Sequence, residues 1–135
     1  MKVVIIDGQG GKMGQMIVER IKNADIPCEL IAIGTNSIAT SAMIKAGADA
    51  GATGENPVIV ASRDADVIIG PIGIISADSL LGEVTPAMAV AVGQSKAKKL
   101  LLPVNLCNNI IVGTAALPLS KLILEAVEEL SKTAV

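Results

Sequence analysis

Gly8, Gly11 and Gly14 stand at the spacing G-x-x-G-x-x-G, with Gln9, Gly10 and Lys12 between them. Glycines so spaced suit the binding of a phosphate. Gly8 permits a sharp turn off a strand, Gly11 lets the backbone approach an anion without a Cβ in the way, and Gly14 lets a helix pack closely. A helix starting near Lys12 presents unpaired amides to that anion, and the Lys12 ammonium adds charge. The same spacing also serves a tight turn that binds nothing. Its place between a β-branched run and a helical stripe favours the phosphate reading.

Three further polar groups fall where chemistry is possible. Thr35, Asn36 and Ser37 suit a phosphate or a sugar, or a helix cap with its turn. Gly70-Pro71-Ile72-Gly73, followed by Ser76, Asp78 and Ser79, offers exposed backbone on which a ring or sugar lies close. It reads equally as a sharp turn with Asp78 as a cap. Asn105, Asn108 and Asn109 could read a small polar ligand or simply form turns. Cys107, among them, would need a base to act as a nucleophile, and the chain has no His. Asp7, Asp49, Glu55 and Asp78 form no metal motif, though Asp7 could meet a magnesium ion carried by a nucleotide.

These groups need elements to hold them. Lys2 to Ile6 is a short β-branched run, as in a buried parallel strand. Met13, Ile17 and Ile21 repeat at helical spacing, with Glu19, Arg20 and Lys22 outward. A second strand is expected over Glu29–Ile33, then a helix capped by Ser37 and ended by Gly47. Ala48–Thr53 suits a short strand, and Pro57–Ser62 a strand or, preferably, a short helix. Ala65–Ile69 reads as a strand that Gly70-Pro71 breaks. Thr85-Pro86 starts a helix running to about Lys98. Strands are expected at Leu100–Val104 and Asn109–Val112, and a last helix carries Leu119, Leu122, Ile123, Ala126, Val127 and Leu130. Strands alternating with helices imply one α/β domain over 1–135, a doubly wound, Rossmann-like parallel sheet in three αβα layers. Ligands of such folds bind at the carboxyl ends of the strands, where strand order reverses.

Composition narrows the function. Of the 135 residues 51% are hydrophobic and 18% charged, and net charge is −2. Disorder is excluded by that apolar content. Phe, Tyr and Trp are absent, and the one basic cluster, Lys96, Lys98 and Lys99, sits at the end of a predicted helix and suits its dipole. Nucleic-acid binding is therefore set aside. The longest charge-free stretch, between Lys99 and Lys121, contains two prolines and three asparagines, which argues against a membrane span. Val3–Ile6 is too short for a signal peptide, so a cytoplasmic location with free thiols at Cys28 and Cys107 is expected. The helix after Thr85 has no polar face, which predicts a homo-oligomer, most simply a homodimer burying Met88 and Val92.

The segment Val3–Met16, with Gly8-Gln9-Gly10-Gly11-Lys12-Met13-Gly14, resembles the cofactor loop of the dihydrodipicolinate reductases and other enzymes with this Rossmann variant. Over nearly its full length the chain is similar to a bacterial family described as a domain of unknown function. Asp7-Gly-Gln-Gly-Gly, Gly34-Thr-Asn-Ser-Ile-Ala-Thr-Ser-Ala-Met, Gly70-Pro-Ile-Gly and Thr85-Pro-Ala-Met-Ala-Val-Ala-Val-Gly carry that likeness. The reductase resemblance implies a dinucleotide cofactor. Three departures qualify it: Asp7 would repel a pyrophosphate, the second strand ends without an acid for the ribose hydroxyls of NAD, and no substrate domain fits in the chain. NADP or another nucleotide is the cofactor these residues imply.

The expectation is a small nucleotide- or dinucleotide-binding protein using Gly8, Gln9, Gly10, Gly11, Lys12, Thr35, Asn36, Ser37, Gly70, Pro71 and Asn105. A small cofactor-dependent enzyme with a site shared between subunits, and an assembly protein that binds no ligand, are the alternatives.

Overall fold

The computed structural model describes residues 1–104, 106 and 108–133. Five parallel strands form one sheet: β1 (Lys2–Asp7), β2 (Glu29–Gly34), β3 (Ala50–Thr53), β4 (Val67–Pro71) and β5 (Lys98–Leu102). Their spatial order is β3-β2-β1-β4-β5. The chain moves outward from β1 to β3, then returns to the other side of β1 for β4. The switch point therefore lies between the carboxyl ends of β1 and β4. Register runs from Lys2 opposite Glu29 to Asp7 opposite Gly34, and Val3 lies opposite Val67.

Alternation along β1 divides the core. Val3 and Ile5 face one layer with α1 (Lys12–Asn23), α2 (Ser37–Lys45) and α5 (Leu119–Thr133), contributing Ile17, Met43 and Leu130. Val4 and Ile6 face the other layer with α3 (Glu55–Asp64) and α4 (Pro86–Gln94), contributing Val58, Met88 and Val92. A central strand buried on both faces needs the continuous apolar run that Val3–Ile6 supplies. The doubly wound αβα expectation holds.

Several boundaries shift. Gly70 and Pro71 do not break β4; they are its last two residues, and Pro71 pairs with Leu102 at the strand end. Gly70 is bare because a Cβ there would strike the Ile6 carbonyl oxygen. Asn36, not Ser37, caps α2: its side chain accepts from Ala39 N at 2.9 Å. Pro57–Ser62 lies in a helix, α3, as preferred. Asn109–Val112 forms no strand. The α4 helix ends at Gln94, and Lys98 and Lys99 belong to β5. Lys99 still serves the helix end, donating from Nζ to the Ser95 carbonyl at 2.6 Å.

Met88 and Val92 are 4% and 0% exposed within the chain's own core, which overturns their expected role in a dimer interface. Met88, Ala89 and Val92 pack inward beside Val58 of α3 and Ile68 of β4, while Val90 on the outer face of α4 is 53% exposed. Among the described residues no helix is long and apolar enough to cross a membrane.

Candidate functional site

The loop after β1 is organised by Asp7. The side chain is 6% exposed. Its Oδ1 accepts from Gly8 N at 2.8 Å and its Oδ2 from Gly14 N at 2.7 Å. The carboxylate thus staples the strand end to the first turn of α1. Burial pushes its pKa up, the two amides oppose that, and nearby Glu83 adds to the rise. Each oxygen accepts one loop amide, which fixes the carboxylate at the edge of the cleft that it lines. Among the described residues, no group of three or more His, Cys, Asp or Glu is placed to hold a metal.

Gly14 sits in close packing, as its spacing suggests, but Gly11 serves a different end. Gly11 has φ +74, and a Cβ on it would lie 2.6 Å from the Ala39 Cα. It is bare to let α1 approach the backbone of α2. Gly14 faces Met43 of α2 and the Asp7 Cβ, while Gly8 faces Thr35, Glu83 and Leu80. The left-handed turn itself falls on Gln9 (φ 49) and Gly11. Gly10 alone in this loop has nothing within 4 Å of its Cβ position. In this loop the open side lies at Gly10, and not at Gly11.

A cleft of ≈ 270 Å³ opens there. Its floor is the glycine loop from Gly8 to Met13, and Leu80, Val104 and Leu119 supply apolar walls. Gly11 N is used by the Gly8 carbonyl, at 2.9 Å, and Gly14 N by Asp7. The amides of Gly10, Lys12 and Met13 have no partner among the described residues, and the exposed Lys12 ammonium has none either. They form the donor set of a helix N-terminus facing a cavity at the switch point.

Thr35 and Asn36 lie at the end of β2, where the sequence has no acid. The structure brings one from a distance. Glu83 reaches across, and its Oε1 accepts from Thr35 Oγ1 at 2.7 Å, Asn36 Nδ2 at 2.7 Å and Gln9 N at 2.9 Å. Asn36 Nδ2 also donates to the Gln9 carbonyl, at 2.9 Å. Partial burial pulls the Glu83 carboxyl up, but the bonds from Thr35, Gln9 and Asn36 outweigh it and hold the pKa below the usual glutamate range. Thr35 and Asn36 therefore bind a carboxylate of their own chain. The inference from a missing acid to NADP over NAD falls with that finding.

The other predicted residues are dispersed. Ser37 is exposed in the first turn of α2, away from the cleft. Gly70 and Pro71 are buried in β4 and do not line it. Asp78 caps no helix; it sits at φ 65 in the turn that carries Glu83. Asn105 and Cys107 lie outside the described residues. Gly73, Ser76 and Asn109 line a second cleft of ≈ 310 Å³ with Ile72, Ile75, Leu106 and Ile111. The sequence reading missed Glu83, Leu80, Val104 and Leu119. Glu83 is 48 residues from Thr35, and no local pattern announces that pairing.

A protein-family model described as "Domain of unknown function (DUF3842)" matches residues 2–135. No curated protein matches. Among solved structures, a dodecameric FMN-dependent Ubix-like decarboxylase from Escherichia coli O157:H7 aligns with 100% of this chain and 78% of that one. Identity is 20% and the TM-score 0.46. Nothing about cofactor or assembly transfers at that level.

Proposed function

The chain belongs to the DUF3842 family, whose description names no activity, and on the geometry of the glycine loop we propose that it binds a nucleotide. The carrying observation is the open side of Gly10 beside the unclaimed amides of Lys12 and Met13, in a cleft at the switch point. A phosphate sits on those amides, with the Lys12 ammonium as counter-charge. Leu80, Val104 and Leu119 receive an apolar part of the ligand. The Asp7 carboxylate is buried and tied to two loop amides, which offset part of its charge. The described lining carries only Asp7 and Lys12 as titratable side chains, so a binding role is supported and no reaction is named.

The composition makes the test clean. Without Trp, Tyr or Phe the protein contributes almost no absorbance near 280 nm. A resident nucleotide then shows directly as a 260 nm band coeluting with protein freed of nucleic acid. For weaker binding, ATP, NAD, NADP and FMN are added at millimolar concentration. A ligand at one hundred times its dissociation constant stabilises by about 2.7 kcal/mol, which thermal unfolding resolves. Absence of any shift with all four overturns the proposal.

A further inference from the structure

Resting on that reading, we propose that Glu83 is a specificity residue that accepts hydrogen bonds from the ribose hydroxyls of the bound nucleotide and refuses a 2′-phosphate. The site thus takes ribonucleotides with a free 2′-hydroxyl, NAD rather than NADP.

The argument begins with where the carboxylate stands. Asp7 and Gly34 are the last paired residues of β1 and β2, and Thr35 N donates to the Asp7 carbonyl just beyond them at 2.9 Å. In a nucleotide-binding αβα fold, a ligand with its phosphate on α1 extends its ribose toward the end of β2, where an acid reads the hydroxyls. Here β2 contributes only Thr35 and Asn36. Their donors, with Gln9 N, converge on Oε1 of Glu83. All three of these bonds fall on that one oxygen, and Oε2 has no partner among the described residues. An anchored carboxylate with one oxygen free is an acceptor for a ligand hydroxyl and repels a second anion.

The segment bearing Glu83 is built to hold it there. Asp78, Leu80, Leu81 and Gly82 all have positive φ, at 65, 55, 56 and 87. Three are not glycine, and such a run is uncommon unless its surroundings hold it. Here the hold is visible: Ser79 is buried and donates to the Gly73 carbonyl, Asp78 N donates to the Val84 carbonyl at 2.7 Å, and Leu80 is buried beside Gly8 as a wall of the cleft. Leu80 and Glu83 thus bring an apolar wall and an acceptor to the glycine loop from one turn.

The test compares NAD and NADP on the wild-type protein, with FMN as a nucleotide that has no ribose ring. The expected result is NAD binding at least about tenfold tighter than NADP, as for a fixed carboxylate facing hydroxyl instead of phosphate. Glu83→Gln keeps an acceptor oxygen for the three donors and removes the charge. It is expected to bring the two affinities within about threefold while FMN affinity stays unchanged. A purely structural Glu83 would leave that ratio alone. NADP binding as tightly as NAD to the wild type overturns the inference, whether or not the variant folds. So does an unchanged ratio in Glu83→Gln. Binding of FMN without NAD or ATP removes the ribose reader and leaves the phosphate loop standing. Binding of none overturns both.

Discussion

Gly10 and Gly11 are neighbours with opposite constraints. Gly10 faces open space over the cleft, whereas Gly11 sits at φ +74 against the α2 backbone. A side chain on Gly11 therefore meets strain twice, in its own torsion and in the packing of two helices. Gly11→Val is expected to destabilise by about 2–4 kcal/mol, the left-handed penalty plus overpacking. Gly10→Val is expected to leave stability within about 0.5 kcal/mol while abolishing the nucleotide-induced thermal shift. Urea unfolding of the two variants, each with and without ligand, checks both halves. The spacing of the glycines and the place of the loop were legible in the sequence, because a β-branched strand and an amphipathic helix flank it. Which glycine faces the ligand was not legible. That depends on how closely α2 lies on α1, a tertiary fact that Ala39 and Met43 decide.

Among the elements, α2 shows how a cap can tie a helix to a site. Asn36 accepts from Ala39 N and donates to Gln9 O and Glu83, so one side chain joins the end of β2, the start of α2 and the glycine loop. Ser37, one residue on, is exposed and makes no such bond. Asn36→Ala is expected to cost about 1–2 kcal/mol, the range for a lost N-cap. Ser37→Ala is expected to change stability by less than about 0.5 kcal/mol. Thermal unfolding of the pair measures the difference, and equal effects would show that the cap had been placed one residue wrong. The order of strands and helices was legible because short apolar, β-branched runs alternate with longer stretches that carry helix start and stop signals. Element ends were less so. Ser95 leaves helical geometry and its hydroxyl donates to the Ser62 carbonyl at 2.6 Å, closing α4 before the lysines that looked like its last turn. A contact 33 residues away sets that boundary.

For the whole molecule, two carboxylates beside one loop respond to pH with opposite sign. Glu83 has a pKa held below its ordinary value of 4.5, so its ionised form contributes stability above that value. The contribution is lost as pH falls through the depressed pKa. Asp7 is displaced upward by burial from 3.8, so the folded state takes up its proton first. Acidification through the window above 3.8 relieves the burial of that charge and adds stability. Asp49 and Asp64, both held low, lose stabilisation on the same side as Glu83 and supply the remaining acid sensitivity. Neither sign could be read from the sequence, since each depends on partners that the fold supplies. Glu83→Gln should therefore lower stability at pH 7 and flatten the acid limb. Wild type and variant should converge as pH falls below the usual glutamate range. Urea unfolding at steps from pH 7 to pH 2.5 measures the separation between the two curves. A separation that stays constant to the acid end would mean that the Glu83 side chain holds the loop by shape and not by charge.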